Sequence, residues 1–130
     1  MLKTKVLLID DEADFIEVVK LRLEGWGYDV LTASSGRAGI NEFINKKPGI
    51  IILDYMMPGM DGIEALKEIR KIDKKIPVIM FTAFPQEKAI DQAMKLGVCT
   101  FVPKISAYSD AENALRSALK IAEGNSEDRD

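Results

Sequence analysis

Histidine is absent from the chain, which removes Ser/His and Cys/His nucleophile pairs and histidine-rich metal sites from consideration. Any chemistry must run on carboxylates, hydroxyls and lysines. Cysteine occurs once, as Cys99, so no internal disulfide can form, and Cys99 reads as a small hydrophobe rather than a reactive thiol. Long apolar runs are missing too: residues 6–9 and 49–53 fall far short of the ~20 residues that a membrane-spanning helix requires. Residues 1–5 lack the apolar stretch of a secretory leader, which makes a cytoplasmic location the natural expectation. Lysines and arginines are scattered, and a net charge of −3 with a pI of about 5.1 leaves no electrostatic footprint for nucleic acid.

What is present suits a folded domain. The 130 residues are 47% hydrophobic and 30% charged, too apolar for disorder and about the size of one domain. Five β-rich runs recur, at residues 5–10, 28–32, 49–54, 77–82 and 99–102, each followed by a helical pattern. Val6-Leu7-Leu8-Ile9 and Ile50-Ile51-Ile52-Leu53 are apolar on both faces, as in a parallel sheet covered by helices on each side. In the first helix Phe15, Val18, Val19 and Leu23 form one stripe, and Gly25 and Gly27 end it. Asp61-Gly62-Ile63-Glu64 carries a cap followed three residues later by glutamate, with Leu66 and Ile69 on the core face of the third helix. The last helix starts in Ser109 to Glu112 and repeats Ala114, Leu115, Ala118, Leu119 and Ala122; Gly124 is expected to stop it. This alternation predicts a doubly wound α/β domain over residues 1–124 with a polar tail over 125–130.

In such sheets the ligand site lies beyond the carboxyl ends of the strands, where strand order reverses. The first strand ends in Asp10 and Asp11, the third in Asp54, the fourth in Thr82, and the fifth runs through Pro103 to Lys104. Carboxylates brought within 4 Å repel by roughly 4 kcal/mol per pair at an effective dielectric of about 20. Lys104 supplies one compensating charge, and a hard divalent cation such as Mg²⁺ would supply the rest. An aspartate there could act as a nucleophile in phosphoryl transfer. Taken singly, these residues have plainer uses. Asp10 and Asp11 suit a helix cap, Thr82 suits a strand, Lys104 suits a solvated surface, and Phe101 suits a strand filler.

Ile9-Asp10-Asp11-Glu12, Leu53-Asp54-Tyr55-Met56-Met57-Pro58-Gly59-Met60-Asp61-Gly62, Phe81-Thr82-Ala83, and then Phe101 and Lys104 follow one another in a specific order and spacing. The set resembles the CheY-like receiver domain of two-component response regulators, across residues 3 to about 122. The resemblance implies a five-stranded parallel sheet in the order 2-1-3-4-5, with Asp54 as phosphoacceptor. It implies Mg²⁺ or Mn²⁺ held by Asp10, Asp11, Asp54 and the Met56 backbone carbonyl. Thr82 and Lys104 would contact the phosphoryl group, and Thr82 and Phe101 would move as it arrives. It also implies a phosphodonor, either a sensor histidine kinase or a histidine phosphotransfer protein. The output would be a downstream protein or a separate output domain, with no direct nucleic-acid or membrane contact. Such a protein is a switch rather than a turnover enzyme.

Two departures carry physical consequences. Most receivers place proline directly after the lysine, often with a cis peptide, whereas here Pro103 precedes Lys104 and Ile105 follows it; an all-trans loop is expected. The positions two residues after Asp54 and after Thr82 are Met56 and Phe84, and neither can orient an attacking water, so slow self-hydrolysis is expected. The competing reading is a pseudo-receiver, an unphosphorylated interaction module of the same fold. A flavodoxin-like flavin site is disfavoured because Asp10-Asp11-Glu12 would repel the flavin phosphate. A haloacid-dehalogenase-type phosphatase would need an acid where Met56 stands.

Overall fold

The computed structural model describes residues 3–83, 86–104 and 111–127. Five strands alternate with five helices: β1 (Lys5–Ile9), α1 (Ala13–Gly25), β2 (Asp29–Ala33), α2 (Gly36–Lys46), β3 (Ile50–Asp54), α3 (Gly62–Ile72), β4 (Val78–Thr82), α4 (Glu87–Lys95), β5 (Thr100–Pro103) and α5 (Ala111–Glu127). All strand pairs are parallel and the sheet order is β2-β1-β3-β4-β5, as the resemblance implied. Order reverses between β1 and β3, which places Asp10 and Asp54 on either side of the switch point.

The two-faced apolar strands account for the layers. Successive side chains of a strand point to opposite faces. Leu7, Ile9, Ile51, Leu53, Val78 and Met80 pack with Ile40 and Phe43 of α2 and with Leu66 and Ile69 of α3. Their neighbours Val6, Leu8, Ile50, Ile52, Ile79 and Phe81 pack with Phe15, Val19 and Leu23 of α1 and with Leu115 and Leu119 of α5. Each fully buried side chain of this size contributes about 1.5–3 kcal/mol, so the five strands form a stiff platform. Phe15 and Phe81 meet edge to face across one layer, with centroids 5.1 Å apart.

Local signals explain most boundaries. Asp61 caps α3, its carboxylate accepting from the Glu64 N–H at 2.9 Å, as expected from the sequence. Gly27 follows α1 at φ +97°, a left-handed backbone that glycine adopts without strain. Three details differ from expectation. Val18 is only half-buried, because it lies at the edge of the stripe that Phe15, Val19 and Leu23 define, and Ile16 packs on that core from the other side. Strands β2 to β5 each start one residue later than expected, and β1 ends at Ile9, one residue before the expected Asp10. The last helix does not stop at Gly124 but runs to Glu127. Glycine weakens a helix by only about 1 kcal/mol, too little to end one whose preceding turns are anchored by buried Leu119 and Ala122. Ser109, Asp110, Phe84 and Ile105, on which other expectations rested, lie outside the described residues.

One side chain ties the far end of the sheet together. The Arg70 guanidinium, from α3, donates to the carbonyls of Leu96 (2.6 Å), Ile76 (2.8 Å), Gly97 (3.1 Å) and Asp73 (3.3 Å). It closes the α3–β4 and α4–β5 turns onto one another through a planar fork of donors that lysine cannot reproduce. Arg70→Ala is expected to lower unfolding free energy by on the order of 2 kcal/mol, because several carbonyls lose their donor at once. Arg70→Lys should recover less than half of that in urea unfolding; full recovery would show that charge, not the fork, is what matters.

Candidate active site at the carboxyl edge of the sheet

Asp54 is the last residue of β3 and is 1% exposed, held in place by the ladder on both sides and by the docked start of α3. The Gly62 N–H donates to the Tyr55 carbonyl at 2.8 Å, which presses the start of α3 against the end of β3. A Cβ at position 62 would stand 2.4 Å from the Asp54 carbonyl oxygen and 2.8 Å from the Tyr55 Cα, both backbone atoms. Only glycine permits that approach, so Gly62 fixes the backbone at Asp54 although it carries no side chain. Gly59, at φ +77°, makes the turn between them.

Asp10 follows β1 and is fully buried, its N–H donating to the Ala33 carbonyl at 3.0 Å. It does not cap α1. Its Oδ1 accepts from the Glu12 N–H at 2.8 Å, while Glu12 occupies the cap position. Asp11 is exposed beside it, and one carboxylate oxygen from each of Asp10, Asp11 and Asp54 lies within 4.8 Å of the others. Lys104, directly after β5, extends its ammonium across the end of β4 into this cluster. Nζ lies 3.0 Å from Asp10 Oδ2 and 3.2 Å from Asp54 Oδ2, and forms a further ion pair with Glu12. Nζ also lies over the Phe15 ring, 4.8 Å from its centroid. The Val102–Pro103 peptide is trans, in line with expectation.

The charges perturb one another. Burial pushes the Asp54 carboxyl up from 3.8 to about 6, and the Asp10 charge adds to that, against the charge and hydrogen bond of Lys104 and the Met56 N–H. Burial also raises Asp10, against the Glu12 N–H and Lys104. Burial alone would lower Lys104, yet its hydrogen bonds to Glu12 and Asp10 and the charges of Asp10 and Asp54 hold it above its usual value. Thr82, at the end of β4, is 4% exposed, and its Oγ1 has no hydrogen-bond partner among the described residues. A buried hydroxyl left unpaired costs stability unless a ligand completes it.

The structure therefore brings together Asp10, Asp11, Asp54, Thr82 and Lys104. Met56 adjoins them through its N–H, 3.3 Å from Asp54 Oδ1, and the residue is 56% exposed. Phe101 lies apart, in the middle of β5 beside Met80, half-buried against the α2–α3 layer. Sequence reasoning passed over Glu12 as a site residue; an acid at a helix cap, where serine or aspartate is favoured, was the available signal. The donor set, three carboxylates beside a carbonyl-bearing turn, fits a hard divalent cation.

Residues 6–116 match the family model of the response regulator receiver domain. A probable transcriptional regulator, ycf27, of Guillardia theta is 38% identical over 118 residues, covering 91% of this chain and 46% of that protein. The alkaline phosphatase synthesis transcriptional regulatory protein PhoP of Bacillus subtilis is 32% identical over 119 residues, covering 92% and 50%. The chain spans about half the length of these curated relatives. Among solved structures, the receiver domain protein of Clostridium thermocellum superposes with a TM-score of 0.79 at 33% identity, covering 97% of this chain and 95% of that one. The Vibrio cholerae chemotaxis protein CheY4 superposes with a TM-score of 0.83 at 26% identity, covering 92% and 99%.

The raised carboxyls set a pH dependence. A folded-state carboxyl held near 6 binds its proton more tightly than the unfolded one at 3.8, so stability without metal falls as pH rises from about 4 to about 6. At neutral pH Asp54→Asn should therefore raise unfolding free energy by on the order of 2 kcal/mol in chelator and flatten the decline. Urea unfolding at pH 4.5 and pH 7 checks this; a mutant less stable than wild type at pH 7 would refute it.

Proposed function

This chain belongs to the response regulator receiver family, and on that premise we propose that Asp54 accepts a phosphoryl group from a phosphohistidine on a partner protein. The observation that carries the proposal is the buried Asp54 carboxylate beside the Lys104 ammonium, with the unpaired Thr82 hydroxyl at the neighbouring strand end. An Asp54 oxygen attacks phosphorus, the bond from phosphorus to the histidine nitrogen breaks, and the nitrogen leaves with the electron pair. Lys104 and Thr82 then offer an ammonium and a hydroxyl to the phosphoryl oxygens as their negative charge develops. Asp10, Asp11, Asp54 and the Met56 carbonyl would hold Mg²⁺ or Mn²⁺, which when bound neutralises phosphoryl charge.

Movement of the Thr82 hydroxyl toward the phosphoryl group would open space near β5, into which Phe101 turns, changing the surface that a partner reads. Phosphodonors are a sensor histidine kinase or a histidine phosphotransfer protein, since the chain has no histidine. Two relatives are named as transcriptional regulators and exceed this chain in length, which supports an output domain or downstream protein. No described helix is long and apolar enough to cross a membrane. The role proposed is that of a cytoplasmic switch rather than a turnover enzyme. The displaced proline, which motivated the pseudo-receiver reading, leaves Lys104 in contact with Asp54, which favours the switch over that reading.

Incubation with acetyl phosphate and Mg²⁺ is expected to add one phosphoryl group by intact mass, and beryllium fluoride to bind tightly. Chelator or Asp54→Asn should abolish both; unchanged labelling in the mutant would refute the assignment. Met56 has no group to orient water, and Met56→Asn is expected to speed loss of the phosphoryl group several-fold. A time course showing equal half-lives would place the barrier elsewhere.

A further inference from the structure

We propose that Glu12 is a positioning residue for Lys104: its carboxylate gives the ammonium a partner outside the acidic trio and so frees Asp10 and Asp54 for a divalent cation. The inference rests on the proposed receiver chemistry and its cation site.

Glu12 is placed where a helix cap belongs but does not cap. It holds the cap position of α1 with extended backbone (φ −92°, ψ 106°), and its side chain makes no cap hydrogen bond. The side chain crosses instead to the end of β5 and pairs with Lys104, 92 residues away in the chain. The Glu12 N–H, donating to Asp10 Oδ1 at 2.8 Å, pins the turn that aims it there. One helical turn on, Phe15 offers its ring to the same ammonium at 4.8 Å. The start of α1 thus holds Lys104 from two sides, neither belonging to the phosphoacceptor or the acidic trio.

The partners of Lys104 differ in depth. The Asp10 and Asp54 side chains are 1% exposed and the Glu12 side chain is 59% exposed. Asp10 Oδ2 and Asp54 Oδ2, at 3.0 and 3.2 Å from Nζ, belong to the carboxylates that a cation would need together with Asp11. An ammonium and a divalent ion cannot share those oxygens without strong repulsion. Lys104 must yield, and the carboxylate already in contact with it on the solvent side is that of Glu12. Staying on Glu12 keeps the ammonium at the mouth of the site, within reach of an incoming phosphoryl group.

Calorimetric Mg²⁺ binding to the whole chain, in a double-mutant cycle of Glu12→Gln and Lys104→Met, tests this. Glu12→Gln is expected to weaken Mg²⁺ by about tenfold when Lys104 is present and by less than about twofold in Lys104→Met. Equal weakening in both backgrounds would overturn the proposal, since Glu12 would then act only as one more negative charge. Glu12→Ser supplies the missing cap; it should keep or raise thermal stability while weakening Mg²⁺ as Glu12→Gln does, and wild-type affinity in that variant would also overturn it. A wild-type chain that binds no Mg²⁺ would remove the proposal together with the cation site beneath it, a result distinct from equal weakening.

Discussion

One ammonium holds the carboxyl edge of this sheet together. Asp10 and Asp54 are buried at neighbouring strand ends, and two carboxylates that close repel one another at a cost that the surrounding core must offset. Lys104 reaches them from β5, two strands away from β3, spanning the end of β4, where Thr82 sits. The site is thereby a product of strand order. With any other arrangement of β3, β4 and β5 the buried Asp54 carboxylate, the Thr82 hydroxyl and the Lys104 ammonium would not meet.

The sheet can carry this strain because its central strands are otherwise apolar inside. Along β1 beyond Lys5, and along β3 and β4, every position is apolar and buried until the final residue or the one after it, where Asp10, Asp54 and Thr82 appear. Both layers of helices press on those strands, so the carboxylates cannot relax apart by bending the platform. Proteins concentrate unfavourable local choices at functional positions and compensate elsewhere. Here the unfavourable choices are two buried acids and an unpaired hydroxyl, and the compensation is the two-sided core.

The fold was legible because its signals are redundant. Two-sided apolar runs mark parallel strands, and Asp61 with Glu64 marks the start of α3 whatever its neighbours do. Site placement was legible from strand ends taken together with the strand order that the resemblance implied, since the topological rule converts order into proximity. The contact of Glu12 was not legible, because its partner is a lysine 92 residues away that no local pattern connects to it. Gly62 stands in the motif without a reason visible in the sequence; the reason is a backbone contact that exists only after α3 docks on β3. The end of α5 was not legible either, because glycine is a weak stop when tertiary packing holds the preceding turn.

The order Pro103-Lys104, reversed from the common pattern, shows what determines the lysine's position. β5 pairs with β4 in the register Phe81↔Val102 and Thr82↔Pro103, so Lys104 is the first residue beyond the Thr82 level. That register is set by the strand residues themselves, among them buried Val102, which packs with Ile79 and Phe81 in the α1–α5 layer. Pro103 is tolerated because β5 is an edge strand, where a missing N–H need not cost a ladder bond. The lysine's starting point is therefore set by the sheet upstream of it. A proline moved across it alters the loop's backbone options and leaves the ammonium's starting point unchanged.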